Sequence, residues 1–328
     1  MKPLVVVTRS FPGDGLKRMA AKARVKVWDK ERKITDAELL KFVKGATAIV
    51  PMLTEKINEK VINAAGPNLK IVANYAVGFD NFDLKALAAH KVYATNTPGI
   101  LTESVAEHAM MLILAASRRV VEADEFLRHG KYEHWEPNLF LGQQLYQKKI
   151  GVVGLGRIGT YLAQMAYSGF HMDVLYYDVA RNPQFEEMFE AKYRRFETLI
   201  KEADVISVHV PLLPSTFHLF GKAEFKAMKK TAVFVNTSRG PIVDEKALAQ
   251  AIKDGQIAAA GIDVLEFEPK LAPGMSKLER IVMTPHIASA TIEARAQMSQ
   301  MVADNVLAVL GGQKPRDLIP EVPGTAKK

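Results

Sequence analysis

Short runs of β-branched and aliphatic residues recur along the chain, each followed by a stretch in which apolar residues return every three or four positions. Leu4–Thr8, Val25–Trp28, Thr47–Leu53, Leu69–Ala76 and Val92–Asn96 make up a first series, and runs of this length bounded by polar turns predict strands. Amphipathic segments separate them, which is the βα alternation of a doubly wound parallel sheet. After Thr97-Pro98-Gly99 the period changes. Residues 102–129 predict one long helix, with Ser104 and Glu107 as its capping box and an apolar face ending near Leu127. A second series begins at Lys149: strands predicted at Ile150–Val153, Asp173–Asp178, Val205–Val210, Ala232–Asn236, Ala258–Asp263 and Arg280–Thr284 alternate with helices over 157–167, 196–202, 222–229 and 244–253. Six such strands complete a dinucleotide-binding sheet. Thr291–Leu310 predicts a further long helix, and Pro320–Lys328, rich in Pro, Gly and Lys, is expected to fray.

A chain of 328 residues suits about two domains. The second long helix can carry the chain back to the first sheet, so the expected architecture is α/β with two doubly wound parallel-sheet domains. A Rossmann domain, 101–289, is inserted into a discontinuous flavodoxin-like substrate domain, 1–100 with 290–328, and the two hinge around a cleft. The 48% apolar and 24% charged residues exclude a disordered or fibrous chain.

Forty-four Lys and Arg against 36 Asp and Glu leave a net +8, which favours small anionic partners. The basic residues are scattered, without a run of five or a motif with interleaved aromatics, so no nucleic-acid partner is expected. The longest apolar run, Ala109–Ala116, is under half of the roughly 20 residues that cross a bilayer. The first ten residues lack a signal-peptide core. No membrane association is expected, and a cytoplasmic location is. The absence of Cys excludes disulfides, thiolate nucleophiles, Fe–S clusters and cysteine zinc sites; no metal is expected.

The strongest local motif is Gly154-Leu-Gly156-Arg157-Ile158-Gly159, set between a predicted strand and a predicted helix. In that context the first glycine permits a tight turn, the second lets backbone approach a pyrophosphate, and the third lets the helix pack on the strand. The next predicted strand ends at Asp178, at the spacing of about 20 residues where a carboxylate accepts from a ribose 2′-hydroxyl. That favours NAD over NADP, although Arg181 could soften the preference.

Arg239, Glu268 and His286 each follow an apolar strand. Singly, they read as a solvated turn residue, a loop residue before proline and a satisfied loop or core histidine. Together, on loops beyond the carboxyl ends of successive strands, they suit carbonyl reduction. His supplies a proton, Glu holds its tautomer and favours the charged ring, and Arg binds a carboxylate while polarising the carbonyl beside it. At Asn74–Asn81 the glycine serves either an amide cradle for an anion or a plain strand-to-helix turn, and local sequence does not choose.

These stretches resemble the D-isomer-specific 2-hydroxyacid dehydrogenases across essentially the whole chain: NYAVGFDNFD from Asn74, TNTPGILTESVAEHAM from Thr95, VGLGRIG from Val153, HVPLLPSTFHLF from His209, FVNTSRGPIVDEKAL from Phe234, GIDVLEFEP from Gly261 and TPHIASAT from Thr284. Within the family the chain is most similar to the glyoxylate and hydroxypyruvate reductases. The resemblance implies that Arg239 orients the substrate, His286 is the acid/base with Glu268 as partner, and the Val77 and Gly78 amides receive the substrate carboxylate. It implies cofactor contacts at Thr102, Gly154, Gly156, Arg157, Ile158, Gly159, Asp178, Val210, Pro211, Thr216, Thr237, Ser238, the Arg239 backbone, Asp263, His286 and Ser289, with Asp263 on the carboxamide side. It also implies a homodimer joined through the nucleotide-binding domains.

Ala288 stands where many members carry Gly, and Asp178 departs from the Arg-containing sequence of NADP-preferring reductases. The phosphite dehydrogenase branch has Lys where this chain has Val77, and the formate branch has Gln in place of Glu268. The phosphoglycerate branch commonly carries a regulatory extension, and D-lactate remains a further substrate to test. NAD(H)-sensing corepressors share the fold and are the alternative of another class; a long disordered tail, expected of that class, is not seen. Selectivity is expected around Met52, Leu53, Tyr75 and Trp135, and Trp135 equally suits a dimer contact or packing.

Overall fold

The computed structural model describes residues 2–320; the fraying expected of 320–328 falls, beyond Pro320, outside the described residues. The chain divides into two compact units, Met1–Leu101 with Ala290–Lys328, and Thr102–Ser289.

In the first unit β1 (Leu4–Val7), α1 (Gly15–Lys22), β2 (Arg24–Val27), α2 (Asp36–Phe42), β3 (Ala48–Val50), α3 (Glu59–Ala65), β4 (Ile71–Ala73), α4 (Leu84–Ala89) and β5 (Tyr93–Thr95) alternate along the chain. The strands form one parallel sheet in the order β2-β1-β3-β4-β5, with Val5 aligned on Val25 and Ala48. Side chains of Thr35, Asn58 and Asp83 accept backbone N–H groups at the starts of α2, α3 and α4, satisfying donors that a helix leaves open. Ile49, Ile57, Val72 and Leu87 fill the core and are fully buried, each contributing about 1.5–3 kcal/mol. The C-terminal helix, Ile292–Leu310, packs on α1, where the Gly15 N–H donates to Ser299 Oγ at 2.9 Å. The chain then returns to β5, Ile319 N–H donating to the Ala94 carbonyl at 3.0 Å.

The second unit opens with α5 (Thr102–Arg118) and α6 (Val120–Arg128). It continues through β6 (Lys149–Val153), α7 (Arg157–Phe170), β7 (Asp173–Tyr177), α8 (Pro183–Phe189), β8 (Lys192–Tyr193), α9 (Phe196–Glu202), β9 (Val205–Val208), α10 (Lys222–Ala227), β10 (Val233–Asn236), α11 (Glu245–Lys253), β11 (Ala259–Ile262) and β12 (Ile281–Met283). All strand pairs are parallel, in the order β12-β11-β10-β9-β6-β7-β8. Strand residues alternate between two cores: Val174, Tyr176, Val233 and Val235 face α5 and α7, whereas Leu175, Ile206 and Phe234 face α9, α10 and α11. The order reverses between β6 and β9, which opens a ligand crevice at the carboxyl ends of those strands.

Three expectations change. The single helix over 102–129 is broken at Arg119, which is left-handed (φ 55°): the Ser117 carbonyl accepts from Gln143 N–H at 2.8 Å instead of from a helical successor, and the Arg119 guanidinium lies over Phe140. Because α5 starts at Thr102, Ser104 sits inside its first turn and is not the cap of a capping box. The sheet has seven strands rather than six, because Lys192–Tyr193 adds an edge strand too short to leave an apolar run.

Candidate active site

Gly154, at the carboxyl end of β6, has φ 98°, which only glycine adopts without strain. A Cβ at Gly159 would lie 2.1 Å from the Gly154 carbonyl oxygen, so α7 approaches the strand as closely as backbone allows. A Cβ at Gly156 would meet nothing within 4 Å. Gly156 caps α7 without a side-chain hydrogen bond, so the first N–H groups of a 14-residue helix, Arg157 and Ile158 among them, face open space and favour an anion. Asp178 follows β7, and its Oδ2 accepts the Leu155 N–H at 2.7 Å, tying the carboxylate to the glycine turn. Arg181 gives Nε and Nη2 to Glu186 at 3.1 and 2.5 Å.

Ser238 Oγ, after β10, donates to the carbonyl of Val210 on the neighbouring loop after β9. Thr216 Oγ1 donates to the Pro211 carbonyl at 2.7 Å and accepts Leu213 N–H at 2.8 Å, so this hydroxyl staples the loop and keeps one lone pair for a ligand. Burial pushes the His209 ring down to about 4; it is neutral at pH 7 and bonds Ser207 Oγ at 2.8 Å. Thr237 Oγ1 is buried without a partner among the described residues. An orphaned hydroxyl after β10, in the same sheet whose β6 ends in an open glycine turn, is what a nucleotide ligand would satisfy, and the residues present fit a dinucleotide.

At the carboxyl ends of β10, β11 and β12 the three candidate catalytic side chains stand on separate loops. Asn236 Nδ2 donates to the Arg239 carbonyl at 2.9 Å and its Oδ1 accepts Ser238 N–H at 3.0 Å, fixing the turn that presents Arg239. His286 is left-handed (φ 55°), and its N–H donates to the Asp263 carbonyl at 2.7 Å. Its Nδ1 lies 3.0 and 3.1 Å from the two Glu268 oxygens. Burial works to raise Glu268, but the bond to His286, the Leu265 N–H and the charge of Arg239 outweigh it and hold the carboxyl below its ordinary value. Asp263 is buried, and its Oδ1 accepts from Thr284 Oγ1 at 2.6 Å and Ile287 N–H at 2.8 Å, while Oδ2 accepts Ala288 N–H at 2.8 Å. His108 Nε2 adds contacts to Thr284 Oγ1 at 2.9 Å and Asp263 Oδ1 at 3.4 Å. These contacts outweigh burial and keep Asp263 below the usual carboxylate range. Asp263 therefore anchors the loop that carries His286. Thr102 begins α5 and Ser289 closes the unit.

In the first unit, the carbonyls of Ala76, Val77 and Gly78 accept from Thr97 N–H at 2.9 Å, Asn96 Nδ2 at 2.6 Å and Asn74 Nδ2 at 2.7 Å. In a trans peptide the N–H points opposite to its carbonyl. The N–H groups of Val77, Gly78 and Phe79 are therefore turned away from these donors, an arrangement able to receive an anion. Neither Asn96 nor the Phe79 amide was among the residues expected in this turn; the sequence signal is an asparagine directly after a strand. Tyr75, expected at a selectivity pocket, is buried, stacked on Phe11 with its hydroxyl donating to the Arg295 carbonyl at 2.8 Å. Met52 N–H is held by Glu55 at 2.9 Å, Leu53 is half-buried, and Trp135 is 75% exposed, which removes core packing as its role.

Residues 110–288 match the family described as D-isomer specific 2-hydroxyacid dehydrogenase, NAD binding domain. The chain is 45% identical over 322 residues to a glyoxylate reductase of Korarchaeum cryptofilum, covering 97% of this chain and 96% of that protein. It is 44% identical over 323 residues to a glyoxylate reductase of Pyrococcus furiosus, covering 97% and 96%. A solved protein of Thermus thermophilus superposes with a TM-score of 0.91 at 39% identity, covering 96% of this chain and 99% of that one. The chain belongs to the D-isomer specific 2-hydroxyacid dehydrogenases, with an NAD-binding domain in its second unit.

Proposed function

We propose that this protein reduces a small 2-oxoacid with NADH, glyoxylate first and hydroxypyruvate second, to the corresponding 2-hydroxyacid. The observation that carries the reading is the pairing of His286 Nδ1 with Glu268 at 3.0 Å on loops beyond β11 and β12 of an NAD-binding domain. The relatives named glyoxylate reductase support the substrate.

The Gly154–Gly159 turn with the Arg157 and Ile158 amides would hold the pyrophosphate, and Asp178 the ribose. Thr102, Val210, Pro211, Thr216, Thr237, Ser238 and Ser289 would line the rest, with the free lone pair of Asp263 Oδ2 for the carboxamide. When bound, the reduced nicotinamide supplies hydride to the carbonyl carbon. Arg239 binds the substrate carboxylate as a charged pair and polarises the adjacent carbonyl. The amides of Val77 and Gly78 donate to a carboxylate oxygen. With Nδ1 occupied by Glu268, His286 delivers its proton from Nε2 to the developing alkoxide, and Glu268 stabilises the charged ring beforehand. The reverse oxidation uses the same groups with His286 neutral.

NAD is preferred over NADP on this reading, because Asp178 meets a 2′-phosphate as a like charge and Arg181 is paired with Glu186. A homodimer and a cytoplasmic location belong to the same proposal, and the exposed Val120, Leu127, Trp135 and Leu141 support the dimer. The test is loss of NADH absorbance with glyoxylate, hydroxypyruvate, pyruvate or phosphohydroxypyruvate, repeated with NADPH and joined by gain of NADH absorbance from NAD with D-lactate or with phosphite. Glyoxylate-dependent NADH loss is expected to be fastest. Phosphite-driven NADH formation would move the protein to that branch, and silence throughout would favour a nucleotide-sensing role.

A further inference from the structure

Glu245, the first residue of α11, is 2% exposed, and the chemistry above makes no use of it. A buried carboxylate is costly unless its oxygens are bonded. Its Oε1 accepts Glu266 N–H at 2.6 Å and its Oε2 accepts Ala272 N–H at 3.2 Å. These two amides are the feet of the loop 266–272, and Glu268 stands between them. The contact is reciprocated, since Glu245 N–H donates to Glu266 Oε2 at 3.2 Å, and Glu266 Oε1 takes His218 Nε2 at 2.8 Å. One carboxylate thus closes the base of the loop, and a second ties that base to α11 and His218.

We propose that Glu245 is a positioning residue for the acid/base pair: by holding both feet of the 266–272 loop it keeps the Glu268 carboxylate against Nδ1 of His286. The inference rests on the acid/base reading of Glu268 and His286. Glu245 touches neither of them. It acts through backbone amides, and a carboxylate suits the task because both its oxygens accept, whereas an amide side chain would set an NH₂ group against one of the two N–H donors. Burial works against ionised Glu245, as do the neighbouring charges of Glu266 and Glu268, and the group is raised above its ordinary value. The fold carries that cost where a neutral side chain would lose one foot of the loop.

The experiment compares Glu245→Gln, Glu245→Asp, Glu268→Gln and the double variant Glu245→Gln/Glu268→Gln. Three quantities are read: kcat against pH for NADH-dependent glyoxylate reduction, NADH affinity by fluorescence, and hydrogen exchange of the Glu266 and Ala272 amides without ligand. In Glu268→Gln the alkaline fall of kcat is expected to move about one pH unit lower, the low end for losing a neighbouring opposite charge. Glu245→Gln should move it in the same direction, Glu245→Asp by less, and the double variant no further than Glu268→Gln alone. The two amides should exchange at least tenfold faster in Glu245→Gln, with NADH affinity within about twofold of the parent. A shifted Glu268→Gln beside an unshifted Glu245→Gln overturns the brace alone, as does a double variant whose shifts add. A Glu268→Gln profile identical to the parent overturns the acid/base reading and the brace with it.

Discussion

Asp178→Asn isolates the charge that separates the two dinucleotides. The asparagine oxygen can still accept the Leu155 N–H that Asp178 holds at 2.7 Å, so the glycine turn keeps its tether while one negative charge leaves the end of β7. A hydrogen bond to a charged acceptor is worth about 1.5–3 kcal/mol against about 0.5–1.5 kcal/mol for a neutral one, so NADH should lose about 1 kcal/mol, roughly fivefold in Kd. For NADPH the substitution removes a like-charge repulsion. At ~4 Å that repulsion is about 1 kcal/mol in water and about 4 kcal/mol at an effective dielectric of 20. Asp178 is half-buried, which places the gain near the lower end, ~1–2 kcal/mol or about 5- to 30-fold tighter binding. Arg181 gives no compensation in the parent while its Nε and Nη2 sit on Glu186. The NADH-to-NADPH preference should therefore fall by about 30- to 150-fold. Fluorescence titration of both dinucleotides without substrate, at fixed ionic strength, reads it directly. A ratio within about threefold of the parent would refute the assignment of selectivity to this carboxylate.

Further expectations follow from close contacts. Gly159→Ala sets a Cβ 2.1 Å from the Gly154 carbonyl, so α7 must shift at a cost of ~1–3 kcal/mol; thermal unfolding and NADH titration should both show the loss, and parent values in both would contradict it. Asn96→Ala removes the donor to the Val77 carbonyl and should raise the KM for glyoxylate about tenfold with a smaller effect on kcat, from a lost bond of about 1 kcal/mol and a loosened cradle; an unchanged KM would remove that loop from substrate binding. Asp263 sits below its ordinary value in the fold, so the stability it contributes is present above pH ~4 and is lost as pH falls through the depressed value. Asp263→Asn should lower Tm at pH 7, with the gap to the parent narrowing toward pH 3, and a constant gap would mean that the carboxylate's charge contributes nothing.

Much of the architecture was legible because parallel strands buried on both faces leave continuous apolar runs, as at Ile150–Val153 and Val205–Val208. The two sheet orders were not legible in it, because alternation gives the elements and not which strands lie side by side. The break at Arg119 was not legible, since it depends on Gln143 taking the Ser117 carbonyl, a contact that spacing cannot reveal. The strand Lys192–Tyr193 was missed because two residues carry no period. At the site, Arg239, Glu268 and His286 stood out as polar side chains able to bind or carry charge, on the loops that follow apolar strands. Asn96, His108 and Glu245 did not, because each acts on backbone or on another side chain. Arg181 shows the limit most plainly: its sequence position suggested a phosphate contact, whereas its bond to Glu186 is a matter of helix geometry.

The most direct measurement of the central claim is the pH dependence of kcat in both directions, NADH with glyoxylate and NAD with glycolate, from pH 6 to about 10, for the parent and for His286→Asn. If His286 passes the proton, reduction falls with rising pH and oxidation rises over the same interval. His286→Asn should then lose several orders of magnitude in kcat while NADH binding persists. Flat profiles in both directions, or near-normal turnover by His286→Asn, would contradict it.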